Sequence, residues 1–358
     1  MVLGKSIGKG ALIELVQHRP NHGHSGHAMK TPVYIFSNGE LSRRQNTLRF
    51  DGPKGMRMLP VETTSEIHVF GEVGLNTRAL NFLSQQRVPL HVYNYYGYYA
   101  GSYMPREQYV AGYLTLQQAT HYNDPAKRVM LAQAFVFGAL RNIEKVLRYY
   151  GRRGSAVEEA IESVHDALYL VPDQQDSETL MALEGNARTD YYSAWDAILK
   201  DSDFQLQGRT KRPPLNRVNA LISFGNSLMY VTCLSEIYRT HLDPRIGFLH
   251  TTNQRRYSLN LDLAEIFKPI IVDRVIFTLI NRGIIKASSF KREGAGIFLK
   301  DNARQTFLKA YDERLKATIK VPRLKRHVSY RRLIRMECYK LEKHLISDET
   351  YVPYVARW

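Results

Sequence analysis

The feature that most constrains this chain is a change of hydrophobic period close to residue 105. Before it, apolar residues alternate in short runs broken by turn residues. After it, they recur every three or four positions over long stretches. A period of two lines one face of a pleated strand, and a period of 3.6 lines one face of a helix. A chain with one pattern followed by the other is α+β: an N-terminal β-rich domain, then an all-α domain.

In the front part, "PVYIFSNGELSRRQNTLRF" (32–50) predicts two strands about Asn38-Gly39, a dipeptide favoured in tight hairpins. Arg57–Pro60 and Glu66–Phe70 are the next strands, with Asp51-Gly52-Pro53 and Gly55 as turns. "NTRALNFLSQQR" (76–87) predicts a short helix capped by Asn76. Residues 88–105 give a buried strand and a tyrosine-rich hairpin around Gly97. Tyr93, Tyr95, Tyr96, Tyr98, Tyr99 and Tyr103 either stack on bases or face a core or a subunit interface, and β-propensity favours the second reading.

Beyond Arg106 the spacing predicts helices over 125–150, 155–171, 177–184, 186–200, 216–240, 258–282, 301–318 and 324–345. The polar, proline-bearing stretch 201–216 is a candidate mobile loop. The domain plan is therefore a β-domain over 29–105, a linker over 106–124, a helical domain over 125–348 and a C-terminal tail over 349–358. Residues 1–28 carry His22, His24 and His27, either a short metal-binding tract or a disordered tail or expression segment; the second reading sets them outside the fold.

Charge narrows the function. The chain of 358 residues has a formal net charge of +16 and a pI near 9.7, although its 44% hydrophobic and 23% charged residues are ordinary. Such an excess attracts nucleic acid or an anionic membrane. No run of about 18 apolar residues predicts a membrane span. Cys233 and Cys338 show neither metal-knuckle nor disulfide-framework spacing, so a reducing cytoplasm is the default. No "GxxxxGK[ST]" phosphate loop is present.

Three spots carry the chemistry-bearing residues. Glu184, followed by Gly185-Asn186, is placed at a junction of helices, either as an ordinary N-terminal acid or as a carboxylate reaching across to another element. His250 ends the apolar run "IGFLH", where a lone histidine is either a satisfied buried side chain or a ligand. Asp262 and Glu265 share a helix face at i, i+3 and repel each other unless a cation lies between them. Arg255, Arg256 or Lys268 supplies that cation in a salt-bridged surface, and a divalent metal supplies it otherwise. Together these residues describe a histidine–carboxylate site suited to Mg²⁺ or Mn²⁺. In a basic protein such a site suits phosphodiester chemistry on DNA or RNA.

The stretches "LEGNAR" (183–188), "NALISFGNSLMY" (219–230), "LDPRIGFLH" (242–250) and "SLNLDLAEIFKPIIVDRVIFTLIN" (258–281) resemble the CRISPR-associated Cas-one family. "YIFSNGELSRRQNTLRF" (34–50) and 70–107 extend the likeness from Met29 to about Arg335. The resemblance implies a β-domain that forms a homodimer and a helical catalytic domain. It implies pairs of dimers flanking the small Cas-two protein, on double-stranded DNA, and leaves open a Cas-four nuclease as a further partner. The family's metal ligands fall on Glu184, His250 and Glu265, with Asp262 as support. The implied reaction is transesterification, in which a 3′-hydroxyl of a short DNA fragment attacks a phosphodiester of the CRISPR array. Candidate DNA contacts are Arg188, Arg255, Arg256, Lys291, Arg292, Lys325 and Arg326, from "KASSFKREGAGIFLK", "KVPRLKRHVSYRRLIR" and the motifs above. Two rivals stand beside this reading: a nuclease acting alone on branched DNA, and a DNA-binding scaffold whose acids only form salt bridges.

Overall fold

The computed structural model describes residues 30–106, 111–250, 257–321 and 324–357. The N-terminal stretch 1–28 and two of the candidate DNA contacts, Arg255 and Arg256, lie outside them. The chain divides into two compact units, one of Met1–Arg106 with Lys300–Gln305, the other of Glu107–Leu299 with Thr306–Trp358.

The first unit holds β1 (Thr31–Ile35), β2 (Gly39–Arg44), β3 (Thr47–Gly52), β4 (Gly55–Leu59), β5 (Thr64–Val69), β6 (Val73–Leu75), α1 (Thr77–Gln86), β7 (Leu90–Tyr93) and β8 (Tyr99–Tyr103). They form two four-stranded sheets, ordered β1-β5-β7-β8 and β4-β3-β2-β6. Alternate residues of both sheets, Val33, Ile35, Leu41, Leu48, Phe50, Ile67 and Val69 among them, pack with Phe82 and Leu83 of α1 as one core. Asn76 caps α1 as expected, its side chain accepting from Ala79 N at 2.9 Å.

Asn38-Gly39 does not make the expected hairpin. There the chain leaves one sheet for the other: β1 pairs with β5, and β2 pairs with β3. The hairpin turn is Gln45-Asn46, with Gln45 at φ 53°. Asn38 instead accepts from Glu72 N at 2.9 Å, and a Cβ on Gly39 would fall 2.3 Å from Asp51 O. That glycine serves close backbone approach rather than turn geometry. The tyrosines divide. Tyr93 is buried and stacked on Phe70, with centroids 4.1 Å apart, whereas Tyr95 at the hairpin tip is 63% exposed.

The second unit is built on α2 (Gly112–Asn123), α3 (Pro125–Gly151), α4 (Glu158–Leu170), α5 (Ser177–Ser193), α6 (Trp195–Ile198), α7 (Arg217–Ile237), α8 (Leu259–Phe267), α9 (Arg274–Asn281), α10 (Asp301–Lys316) from Thr306 onward, and α11 (Tyr330–Leu345). Start signals act where the sequence puts them: Asp124 caps α3 ahead of Pro125, Asp176 caps α5, and Asn216 caps α7. By length and composition α7 could cross a membrane, but 83% of its apolar window is buried by the protein, which makes it a central core helix.

Five expectations need correction. The linker 106–124 contains α2, whose Leu114, Gln118 and His121 are buried; Gln118 Nε2 donates to Asp243 O at 3.1 Å. The single helix expected over 258–282 is α8, a π turn at Pro269–Asp273 and α9, because proline cannot donate to the helical ladder. The unit is not all-α: it includes the hairpins β9–β10 (Phe290–Glu293, Gly296–Leu299) and β11–β12 (Thr318–Val321, Arg326–Ser329), short runs hidden among stronger helical patterns. The tail is part of the core. Asn142 of α3 donates to both Ile266 O (2.8 Å) and Tyr354 O (3.0 Å) and accepts from Ala356 N (2.8 Å), tying the C-terminal segment to α8. Nor is 201–216 unanchored: Phe204 and Leu206 are buried, and Asn216 Nδ2 donates to Leu206 O at 2.5 Å.

Candidate active site

The loop before α8 folds around one buried carboxylate. Asp262, in the first turn of α8, accepts from the backbone N–H of Phe248 (2.6 Å), Leu249 (3.1 Å) and His250 (2.9 Å), and from His250 Nδ1 (2.8 Å). Gly247 lets the loop come this close, since a Cβ there would lie 2.8 Å from Asp262 Oδ2 and 2.9 Å from Leu259 N. Four donors use both oxygens of Asp262, so it positions rather than ligates. Engaging Nδ1 sets the tautomer and leaves Nε2 as the outward nitrogen, the arrangement of a carboxylate-backed metal-ligating histidine. Burial alone would lower the imidazole pKa, but the hydrogen bond and charge of Asp262, with the charge of Glu265, raise it overall.

The other two predicted ligands meet on a different element. Glu184 lies in the middle of α5, not at a helix junction; Gly185 continues the helix in open space, an exposed interior glycine costing only about 1 kcal/mol. One turn on, Arg188 Nη2 lies 2.5 Å from Glu184 Oε1 and 2.6 Å from Glu265 Oε2 of α8. Two carboxylate oxygens from separate helices thus converge on one cationic nitrogen. Lys268 Nζ holds the other Glu265 oxygen at 2.5 Å and lies 4.8 Å from the Tyr230 ring centroid. Burial would raise the Glu265 pKa, but the charges of Lys268, Arg188 and His250 hold it down to about 2. Glu265 is therefore ionised at any working pH.

The structure thus brings Glu184 and Glu265 together through Arg188, puts His250 within the electrostatic reach of Glu265, and makes Lys268 a local cation of Glu265 alone, not of Asp262. Among the described residues, no three His, Cys, Asp or Glu side chains form a ready-made metal cage. The donor set fits Mg²⁺ or Mn²⁺ all the same: hard carboxylate oxygens that already converge on a cation, and an imidazole fixed through its far nitrogen.

Beneath this site, Tyr191 donates to Asp273 Oδ2 at 3.0 Å, in the π turn after α8. Burial, opposed by the charge of Arg188, pushes the Asp273 carboxyl up to about 7. A free aspartate titrates near 3.9, so folding favours the protonated form. Stability from this group is full below about pH 4 and is lost as pH rises toward 7, at roughly 1.4 kcal/mol per unit. Asp273→Asn is expected to flatten that part of the stability profile. Urea melts of both proteins at pH 5, 6 and 7 measure it, and parallel profiles would refute the assignment.

The candidate DNA contacts separate by position. Arg292 on β9, and Lys325 and Arg326 at the start of β12, are exposed; Lys291 pairs with Glu293 at 2.7 Å. Arg188, with its side chain 13% exposed, is locked between acids rather than offered on the surface. Sequence reasoning missed Lys211, whose ammonium pKa is lowered by burial and by Arg209 and Lys268, against the pull of Glu265 and Glu184. A lysine in "GRTKRPP" had no helical period to place it. Asn142, Tyr191 and Asp273 were missed for the same reason: each works through a partner remote in sequence.

The family described as CRISPR associated protein Cas1 matches residues 33–313. The chain is 53% identical over 330 residues to a CRISPR-associated endonuclease Cas1 of Thermodesulfovibrio yellowstonii, covering 92% of this chain and all of the relative. It is 44% identical to its counterpart in Thermotoga maritima, over 89% of this chain and 98% of that one. The fold superposes on a Cas1 protein structure from Thermotoga maritima with a TM-score of 0.82 at 43% identity, over 90% of this chain and 99% of the other. A casposase bound to its integration product shares the fold at a TM-score of 0.81 and 19% identity, over 92% and 96%. A chain with this sequence likeness along nearly its whole length belongs to the Cas1 family of CRISPR-associated proteins.

Proposed function

We propose that the protein is a metal-dependent DNA endonuclease and integrase of CRISPR adaptation, inserting short fragments into the array by transesterification. The observation that carries this reading is the meeting of Glu184 and Glu265 oxygens, from α5 and α8, at one cationic nitrogen beside a histidine aimed by Asp262. Relatives along nearly the full length bear the name endonuclease, and a Cas6-RT-Cas1–Cas2 complex contains the same fold.

Glu184, His250 and Glu265 would hold Mg²⁺ or Mn²⁺, with Asp262 positioning the imidazole. When bound, the ion neutralises charge on the phosphodiester and favours the attacking 3′-oxygen. Glu265 stays ionised at neutral pH because Lys268 remains beside it. Lys211 and the exposed Arg292, Lys325 and Arg326 hold the DNA backbone, which gives salt-dependent binding with little sequence preference. The β-rich unit serves a homodimer, a Cas2 protein is the structural partner, and the setting is a prokaryotic cytoplasm.

Purified protein, its Cas2 partner, Mn²⁺, a short duplex with free 3′-hydroxyls and a supercoiled CRISPR plasmid should yield joined products. Glu184→Ala should reduce them at least about 100-fold; undiminished joining would refute the site. Cutting of branched DNA without joining would favour a nuclease acting alone. DNA binding with neither cutting nor joining would favour a scaffold.

A further inference from the structure

We infer that Arg188 is an internal counter-cation standing at the metal position: it holds the two acidic ligands together in the metal-free protein, and a divalent ion binds by exchange with its guanidinium. This rests on the proposed metal reading and adds to it what fills the site beforehand and what sets its affinity.

The argument begins with the shared nitrogen. Arg188 Nη2 is 2.5 Å from Glu184 Oε1 and 2.6 Å from Glu265 Oε2, and Nε donates to the same Glu184 oxygen at 2.6 Å. The two oxygens are therefore no more than about 5 Å apart, spanned by one cationic centre. Oxygen ligands sit about 2.0–2.1 Å from Mg²⁺, so a small approach of α5 and α8 side chains converts one arrangement into the other. The side chains of Glu184, Arg188 and Glu265 are 14%, 13% and 6% exposed. At that burial two unpaired carboxylates would be strongly unfavourable, so a site awaiting its ion needs a built-in cation to stay assembled.

Lys268 does not serve the same purpose. It holds only Glu265, through the other oxygen, and does not touch Glu184. Arg188 alone among the described residues bridges the acids of the two helices. Its place on α5, four residues after Glu184, keeps the guanidinium within reach after exchange. A cation that must be displaced lowers metal affinity by the free energy of its own ion pairs. Removing it therefore has two opposite effects: a less stable metal-free protein and a tighter metal site. A residue that merely braces the fold would produce only the first.

The test is Mn²⁺ binding to the full chain, read by the loss of the free-ion EPR signal, for wild type, Arg188→Gln, Arg188→Lys and Glu184→Ala, with thermal melts alongside. Arg188→Gln should bind Mn²⁺ at least about tenfold more tightly than wild type. It should melt lower than wild type without metal, and saturating Mn²⁺ should recover most of the difference. Arg188→Lys, which keeps a cation with a shorter reach, should fall between. If glutamine prevents folding without metal, recovery of the fold on Mn²⁺ addition supports the exchange, and an unfolded protein at saturating Mn²⁺ overturns it. Equal or weaker Mn²⁺ binding by a folded Arg188→Gln also overturns it. The underlying metal reading fails separately: wild type and Glu184→Ala would then bind Mn²⁺ alike.

Discussion

Glu265→Ala is expected to abolish DNA joining and cutting, a loss of at least about 100-fold, and to destabilise the protein by about 3–5 kcal/mol. Both effects have one origin. The carboxylate of Glu265 is the shared anion of Arg188 and Lys268, one on each oxygen. Its removal leaves the buried Lys268 ammonium beside the Tyr230 ring without its carboxylate, and leaves Arg188 paired with Glu184. Truncating one partner of a buried ion pair is costly because the other charge remains desolvated. Glu265→Gln separates the two effects: it keeps the side-chain volume and hydrogen-bonding oxygen but loses the charge, so activity should fall as far. Plasmid integration assays and urea unfolding measure them. Joining within a few-fold of wild type would remove Glu265 from the site.

Asp262→Ala is expected to cost at least about 3 kcal/mol and to uncouple His250 from the site. The substitution strands three consecutive backbone N–H groups, of Phe248, Leu249 and His250, each costing about 1–3 kcal/mol when buried without a partner. The imidazole loses the acceptor that fixes its Nδ1–H. Nitrogen-detected NMR of the histidine ring should show a single Nδ1–H tautomer in wild type and tautomer exchange in the variant. Asp262→Asn, which keeps one acceptor oxygen, should lie between. An unchanged tautomer in Asp262→Ala would mean that something else aims His250.

The two acids at i, i+3 on α8 thus have different tasks, although their spacing treats them alike. Asp262 points back to the preceding loop and is saturated by local donors. Glu265 points across to α5 and meets Arg188. The proposal of Glu265 as ligand and Asp262 as support rests on this difference, which is legible only in three dimensions: it depends on which neighbour each carboxylate faces.

Local patterns in the sequence were enough to place the strand-rich front, most of the long helices and the Asn76 cap of α1. These depend on interactions within a few positions, such as Asn76 with Ala79 N or Asp176 with the first turn of α5. The same patterns misread Asn38-Gly39, because a dipeptide that suits a hairpin equally suits a strand changing sheets. They also ran α8 through Pro269, since the apolar period persists across the π turn. The tail gave no signal: its anchors, Asn142 and Glu337, lie on other helices.

What the sequence determined by itself is the α+β order, the basic excess and the family motifs that single out Glu184, His250 and Glu265. Each of these is carried by residue type and local period. The tertiary structure alone decided that Arg188 stands between Glu184 and Glu265, 77 residues apart from the latter in the chain. It also decided that Lys268 is the buried partner of Glu265, and that Asn142 ties the C-terminal segment to the helix carrying the acids. Charge compensation in a buried site is a matter of distance across elements, and no spacing along the chain encodes it.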